Sequence, residues 1–352
     1  MQPLQEVSRV ACSPAGLPGS PVVAVIIPCF RVTRHIEDVI RRIGPEAQQI
    51  FVVDDCCPDA SGDFVAAHCD DPRIRILRNA RNLGVGGAVM AGYRAAMAAG
   101  ADILVKIDGD GQMPPELLPR FIAPIAAASA DYTKGNRFYN LDRVRAMPPV
   151  RLVGNAILSF MSKFSSGYWD VFDPTNGYTA IHARVASHLP MDRISNRYFF
   201  ESDVLFRLNT LRAVVVDIPM TARYGDETSH LKVSRIIGEF FRGHARNFGK
   251  RIFYNYFLRD LSAGTLQLVL GVLLTLAGSI YGFVKWFSDA GTPATAGTVM
   301  LAALPVMLGL QLLLAFLMQD MQSVPRLPVH PRLADLPDDI PAPTHEMPGE
   351  AP

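Results

Sequence analysis

Residues 261 to 284 hold no charged side chain. That run limits what the chain can fold into more than any other stretch. At 1.5 Å per residue a helix of this length reaches about 36 Å, enough for a hydrocarbon core of roughly 30 Å. A second uncharged run lies between Asp289 and Asp320 and is densest from Val299 to Met318. Both runs are apolar on all sides, which lipid requires and a buried core hairpin does not. The pattern predicts a two-helix transmembrane hairpin over residues 261–319. Basic residues crowd ahead of the first run, and Arg326 and Arg332 follow the second, while the connecting loop carries only Lys285 and Asp289. The positive-inside rule then predicts a multi-pass protein of the inner (plasma) membrane, with both termini and the domain before the hairpin in the cytoplasm.

Residues 231–260 mix Phe, Tyr, Ile and Leu with Arg235, Arg242, Arg246, Lys250, Arg251 and Arg259. Two arrangements fit. These are juxtamembrane amphipathic helices in the lipid interface, or ordinary helices packed on the preceding domain. Residues 320–352 are Pro-rich and acidic near their end, a composition that predicts a disordered tail. Residues 1–20 read as a flexible N-terminal arm; they lack an apolar core and do not resemble a secretory signal.

The net charge of +1 gives no global basic field, so the chain offers no argument for nucleic acid as a partner. Five cysteines show no zinc-site spacing. Reduced thiols without a special task are the expectation.

Residues 21–230 alternate short apolar runs with helical patterns. Val22–Ile27, Ile50–Val53, Ile74–Leu77 and Ile103–Ile107 read as strands; Thr33–Ile43, Val85–Ala99 and the stretch from Pro114 to about Ala128 read as helices. This is an α/β pattern, which predicts a mostly parallel sheet covered on both faces. Pro28 is expected to end the first strand. Ligands of such sheets bind outside the carboxyl ends of the strands. Pro28, Asp54, Asp55, Asp108 and Asp110 all fall there. Further on, Val150–Phe164 reads as an amphipathic helix, Phe199–Leu211 as a helix and Ala213–Ile218 as a last strand.

The segment ADILVKIDGDGQ, Ala101 to Gln112, ends an apolar strand in Asp108 and Asp110. Two carboxylates so placed make a hard, oxygen-rich site suited to Mg²⁺ or Mn²⁺ shared with a diphosphate.

With VVAVIIPCF, FVVDDCCPDASGD, NLGVGGAVMAGYRAA, KIDGDGQMPPELL and KGNRF in this order, the chain resembles the family 2 glycosyltransferases of the GT-A (Rossmann-like) fold. Within that family it is most similar to the polyisoprenyl-phosphate glycosyltransferases. The resemblance implies an inverting, metal-dependent enzyme. Such an enzyme moves a sugar from a nucleotide-sugar donor to a polyprenyl phosphate acceptor. It implies that Pro28, Phe30, Glu37, Asp54, Asp55, Asn82 and Gly84 meet the nucleotide. Asp108, Asp110 and Gln112 match the family's D-x-D-x-Q, with Asp110 the direct metal ligand and the other two close to metal or donor. Arg137 matches an arginine that contacts phosphates near the acceptor. Asp173 falls in an acidic turn near the acceptor, Glu201 on a helix that supplies an acidic residue, and Arg223 in a late basic loop that meets phosphates.

Departures from the family pattern are Arg31 in place of Asn, and Cys56–Cys57 in place of Gly and Ser. By analogy with two-span relatives a UDP-sugar is favoured as donor and a homo-tetramer is expected. A GDP-mannose user and an inactive membrane-anchored scaffold stay open. A nucleotidyltransferase would carry a Gly-rich phosphate loop after its first strand, and Pro28–Arg31 is not one.

Overall fold

The computed structural model describes residues 5–6, 20–139, 149–221, 233–288 and 293–333. Its centre is an eight-stranded sheet. The strands are β1 (Gln5–Glu6), β2 (Val23–Cys29), β3 (Gln49–Asp54), β4 (Ile74–Arg78), β5 (Ile103–Lys106), β6 (Tyr132–Asn136), β7 (Thr179–His182) and β8 (Val215–Pro219). Their order across the sheet is β1-β4-β3-β2-β5-β7-β6-β8. Strands β4, β3, β2 and β5 run parallel, as β6 and β8 do, while β7 is antiparallel to both β5 and β6.

The central strands β2, β3 and β5 are almost wholly buried and mainly apolar because both faces are covered; Gln49, Asp54 and Lys106 at the strand ends are the polar members. On one face Val23, Val25 and Ile27 meet Ile36 and Val39 of α1 (Ile36–Arg41) and Phe121 of α4 (Leu118–Ala126). On the other, Ala24 and Ile26 meet Met90 and Tyr93 of α3 (Val85–Ala98). Helix α2 (Ser61–His68) lies between β3 and β4. Pro28 does not end β2 as expected: the strand runs through it to Cys29, in register with Val53. The pairing of β2 with β5 stops at Ile26. Beyond that point a missing N–H on the open side costs no ladder bond.

After β6 come α5 (Pro149–Ser166), α6 (Ala183–Ser187), α7 (Phe200–Thr210) and α8 (Val233–Phe253), which passes through a wider turn at Tyr254–Arg259. Two long helices follow, α9 (Ala263–Ser288) and α10 (Ala296–Gln322). Their most apolar 18-residue windows have mean hydropathies of 1.8 and 2.3, and 11% of each window is buried. They pack on each other through Gly271, Gly278 and Gly309, as small residues allow in apolar surroundings.

The expected loose tail is ordered as far as Leu333. Arg212 donates to Ser323 O at 2.7 Å, and the backbone N–H groups of Val329 and His330 donate to Asp131 at 2.9 Å. The His330 ring lies 2.8 Å from Asp131 Oδ1 and stacks on His182. Short α11 (His330–Leu333) completes this strap. A buried carboxylate with several orphan donors at hand outweighs a Pro-rich composition.

Candidate active site

The carboxyl ends of β2, β3 and β5 surround a cavity of about 630 Å³. Pro28, Asp55, Asp108 and Asp110 lie on its wall, as the strand-end argument requires, and so do Phe30, Asn82 and Gly84, which the resemblance named. The floor is built by Asp55, which is 3% exposed. Its Oδ1 accepts from Asn79 Nδ2 at 2.8 Å and from the Leu83 N–H at 2.9 Å; its Oδ2 accepts from the Gly84 N–H at 2.7 Å. One carboxylate thus ties the β3 loop to the Asn82–Gly84 loop. Gly84 sits at φ +84°, and a Cβ there would lie 2.5 Å from Asn196 O. Only glycine combines that φ with so close an approach.

Asp54 is not on the cavity wall. Its two oxygens accept from the N–H groups of Cys57 (2.8 Å) and Gly62 (2.7 Å), so it holds the loop. Glu37 is exposed on α1 and does not line the cavity; His35 does. Gln112 is likewise off the wall, and its N–H donates to Asp110 Oδ1 at 2.9 Å. Arg223 lies outside the described residues. In the Cys56–Cys57 loop, Cys57 Sγ accepts from the Arg31 N–H at 3.0 Å and lies 3.2 Å from Ser61 Oγ. Burial opposes ionisation of this thiol, but the Ser61 and backbone hydrogen bonds outweigh it and lower its pKa.

Two further wall residues, Arg197 and Tyr198, carried no signal in the sequence. They arrive because Asn196 O accepts from the Gly86 N–H at 2.9 Å, which draws the loop before α7 over the cavity.

Behind the carboxylate pair runs a line of alternating charge. Lys106 is 1% exposed; its ammonium lies 2.8 Å from Asp108 Oδ1 and 3.4 Å from Glu201 Oε1, and donates to Gly177 O at 3.1 Å. A Cβ on Gly177 would stand 2.6 Å from Asp108 Oδ2. Burial works against the Lys106 ammonium, but Asp108 and Glu201 outweigh it and hold its pKa above the ordinary lysine value. Lys134, also buried, donates to Asn176 O. Burial pulls its pKa down to about 8, against the opposing pull of Glu201 and Asp173. Next to it Arg137 grips the buried Asp173 with two parallel bonds, Nε–Oδ2 at 2.7 Å and Nη2–Oδ1 at 2.9 Å. The structure therefore forms two stations, the cavity with its carboxylates and the Arg137–Asp173 pair, joined through the Asn176–Gly177 turn: Lys106 donates to Gly177 O at 3.1 Å and Asn176 Nδ2 to Asp173 Oδ2 at 3.3 Å.

Among the described residues no three His, Cys, Asp or Glu side chains form a closed metal cage. Two hard carboxylates opening onto a cavity instead fit a divalent cation that completes its shell with substrate phosphates and water.

The sequence profile described as Glycosyl transferase family 2 matches residues 24–189. An undecaprenyl-phosphate mannosyltransferase of Micrococcus luteus is 31% identical over 204 residues, covering 56% of this chain and 82% of its own. The chain belongs to glycosyltransferase family 2. A polyprenol monophosphomannose synthase of Mycolicibacterium smegmatis is 30% identical to this glycosyltransferase, covering 56% of this chain and 76% of its own. Among solved structures, the glucosyl-3-phosphoglycerate synthase of Mycobacterium tuberculosis in complex with UDP shares the GT-A fold. Its TM-score is 0.50 and its identity 17%, with 66% of this chain and 80% of that one covered. The mixed sheet is thus that of the GT-A fold.

Proposed function

We infer that this glycosyltransferase moves a sugar from a nucleoside-diphosphate sugar to polyprenyl phosphate at the cytoplasmic face of the plasma membrane. The observation that carries the reading is the pairing of the two stations. A cavity holding Asp108 and Asp110 suits a sugar diphosphate, and the Arg137–Asp173 pair beside it suits a second phosphate. The names of the two relatives, both acting on polyprenyl carriers, support the acceptor. The helices α9 and α10 support a membrane anchor.

In this reading Asp110 and Asp108 are the residues that would hold Mg²⁺ or Mn²⁺. Bound there, the ion would supply Lewis-acid neutralisation of the leaving charge. The protein's own work is alignment. Asp55 fixes the loops that enclose the nucleotide. Lys106 holds Asp108 in one orientation. Asp173 fixes the orientation of the Arg137 guanidinium, the group that would meet the acceptor phosphate. An acceptor phosphate oxygen attacks the anomeric carbon, the bond to the diphosphate oxygen breaks, and the configuration inverts. The acceptor is already an anion, so no general base is required.

Analogy with two-span relatives favours a uridine nucleotide, whereas the names of these two relatives favour a mannosyl donor. Nucleotide release by detergent-purified protein with undecaprenyl phosphate, Mn²⁺ or Mg²⁺, and a panel including UDP-glucose and GDP-mannose tests both. Metal-dependent release with one donor is expected. No release with any donor from folded protein overturns the transferase reading in favour of a binding scaffold.

A further inference from the structure

Helix α5 is built inside out. Its Ser159, Ser162 and Ser166 are 6%, 2% and 1% exposed, while Val153, Ile157 and Phe160 are 58%, 55% and 59% exposed. The steps of three and four residues within each set put the serines on one face and the apolar residues on another. A helix seated on a water-soluble domain shows the opposite arrangement.

The helix against which α5 packs has the same character. In α8, His244, Asn247 and Arg251 are buried, while Phe241 is 65% exposed beside the exposed Arg242, Arg246 and Lys250. The seam between the two is polar: His244 Nδ1 lies 2.7 Å from Ser165 Oγ, and Arg251 donates to Phe164 O at 2.8 Å.

We propose that α5 is a membrane-seated helix whose Val153–Ile157–Phe160 stripe lies in the acyl boundary of an anionic phospholipid surface, placing the Arg137 station at headgroup depth. This rests on the reading that α9 and α10 cross the membrane. At 18 residues, with one polar face, α5 is suited to lie on a bilayer and not to span it.

What covers the stripe follows from its continuity with α10. Asp320, near the end of that helix, pairs with Arg251 at 2.6 Å and accepts from Tyr256 at 2.8 Å and from Trp169 Nε1 at 3.1 Å. Trp169 packs edge-on against Phe164 of α5, with ring centroids 4.8 Å apart. The end of α5 is therefore locked to the end of a helix exposed and apolar along its length. The basic residues on α8 supply attraction for anionic headgroups. Toward the active site, Ser159 donates to Phe172 O at 2.8 Å, and half-exposed Phe172 packs edge-on against Phe138, the neighbour of Arg137. An acceptor phosphate held by a bilayer lipid would meet Arg137 along this border.

The test uses full-length protein in phosphatidylethanolamine–phosphatidylglycerol nanodiscs, with photoreactive benzoylphenylalanine in place of Ile157, Phe160, Leu273 on α9, or exposed Arg120 on α4. After irradiation and mass spectrometry, lipid adducts at 157, 160 and 273 with none at 120 are expected. Lipid adducts at 273 with none at 157 or 160 overturn the docking of α5 alone. Cross-links from 157 or 160 to a second copy overturn it in favour of an oligomer face. Absence of lipid adducts at 273 as well overturns the spanning reading too.

Discussion

The ammonium of Lys106 lies 2.8 Å from Asp108 Oδ1 and is almost wholly buried, so one of the two strand-end carboxylates is held by a cation beneath it. The same ammonium reaches Glu201 at 3.4 Å, which puts its positive charge between the cavity wall and helix α7.

Lys106→Met leaves Asp108 and Glu201 facing each other across an uncompensated site. Removing one partner of a buried pair costs about 3–5 kcal/mol. The partial exposure of Asp108 (29% of its side chain) puts the loss at the low end. A fall in melting temperature, and a drop in turnover on the order of 100-fold that Lys106→Arg partly restores, are expected. Wild-type turnover and melting in Lys106→Met would remove Lys106 from the machinery.

Asp110→Asn keeps the shape of the cavity wall and loses a hard anionic ligand. Turnover is expected to fall on the order of 100-fold or more, several kcal/mol of transition-state stabilisation. Titration calorimetry should show weaker nucleotide binding in Mn²⁺ and little change in EDTA, where wild-type binding drops to the variant's level. Metal-independent binding in the wild type would refute the assignment.

Arg137→Lys keeps the charge and loses the two-point grip on Asp173. Lysine cannot reproduce the fork. The expected outcome is a KM for polyprenyl phosphate raised on the order of tenfold with donor affinity unchanged. Steady-state kinetics with each substrate varied in turn separates the two. A defect in donor binding alone would move Arg137 out of the acceptor station.

Acid should destabilise the fold between pH 6.5 and 4. Burial lowers the pKa of both His182 and His244 to about 4, with the neighbouring His330 adding to the effect at His182. The folded state therefore keeps these rings neutral where the unfolded chain has already taken up protons. The unfolded state binds more protons across this window, so stability is full above pH 6.5 and falls as pH drops toward 4. Thermal melts across the range should show this slope, and His244→Gln should flatten it. An equal slope in that variant would exclude His244 as a source.

The alternating strands, the carboxylates at their ends and the two uncharged runs were legible in the sequence, because each is a local pattern. Period, length and turn chemistry express themselves within a dozen or so neighbouring residues. That much led to Pro28, Asp55, Asp108 and Asp110 on the cavity wall, while Asn82, Arg137 and Asp173 were reached through the resemblance to family 2 glycosyltransferases. The helix α2 was missed, since Ser61–His68 is short and its apolar periodicity is weak.

Tertiary structure decided the rest, through contacts between residues far apart in the chain. Asp54 and Asp55 are neighbours of identical chemistry, yet Asp54 spends both oxygens on its own loop while Asp55 ties that loop to Leu83 and Gly84. Arg197 and Tyr198 reach the cavity on a loop held by the bonds from Gly86 to Asn196 and from Ser195 to Asp203. Lys106 and Glu201 meet across 95 positions, and Asp131 captures the backbone of Val329 and His330 from nearly 200 positions away. The face that α5 turns outward is set the same way. Its periodicity announces an amphipathic helix, but whether serines or aromatics are buried depends on the polar seam with α8, because a buried polar group must find its partner wherever the fold supplies one.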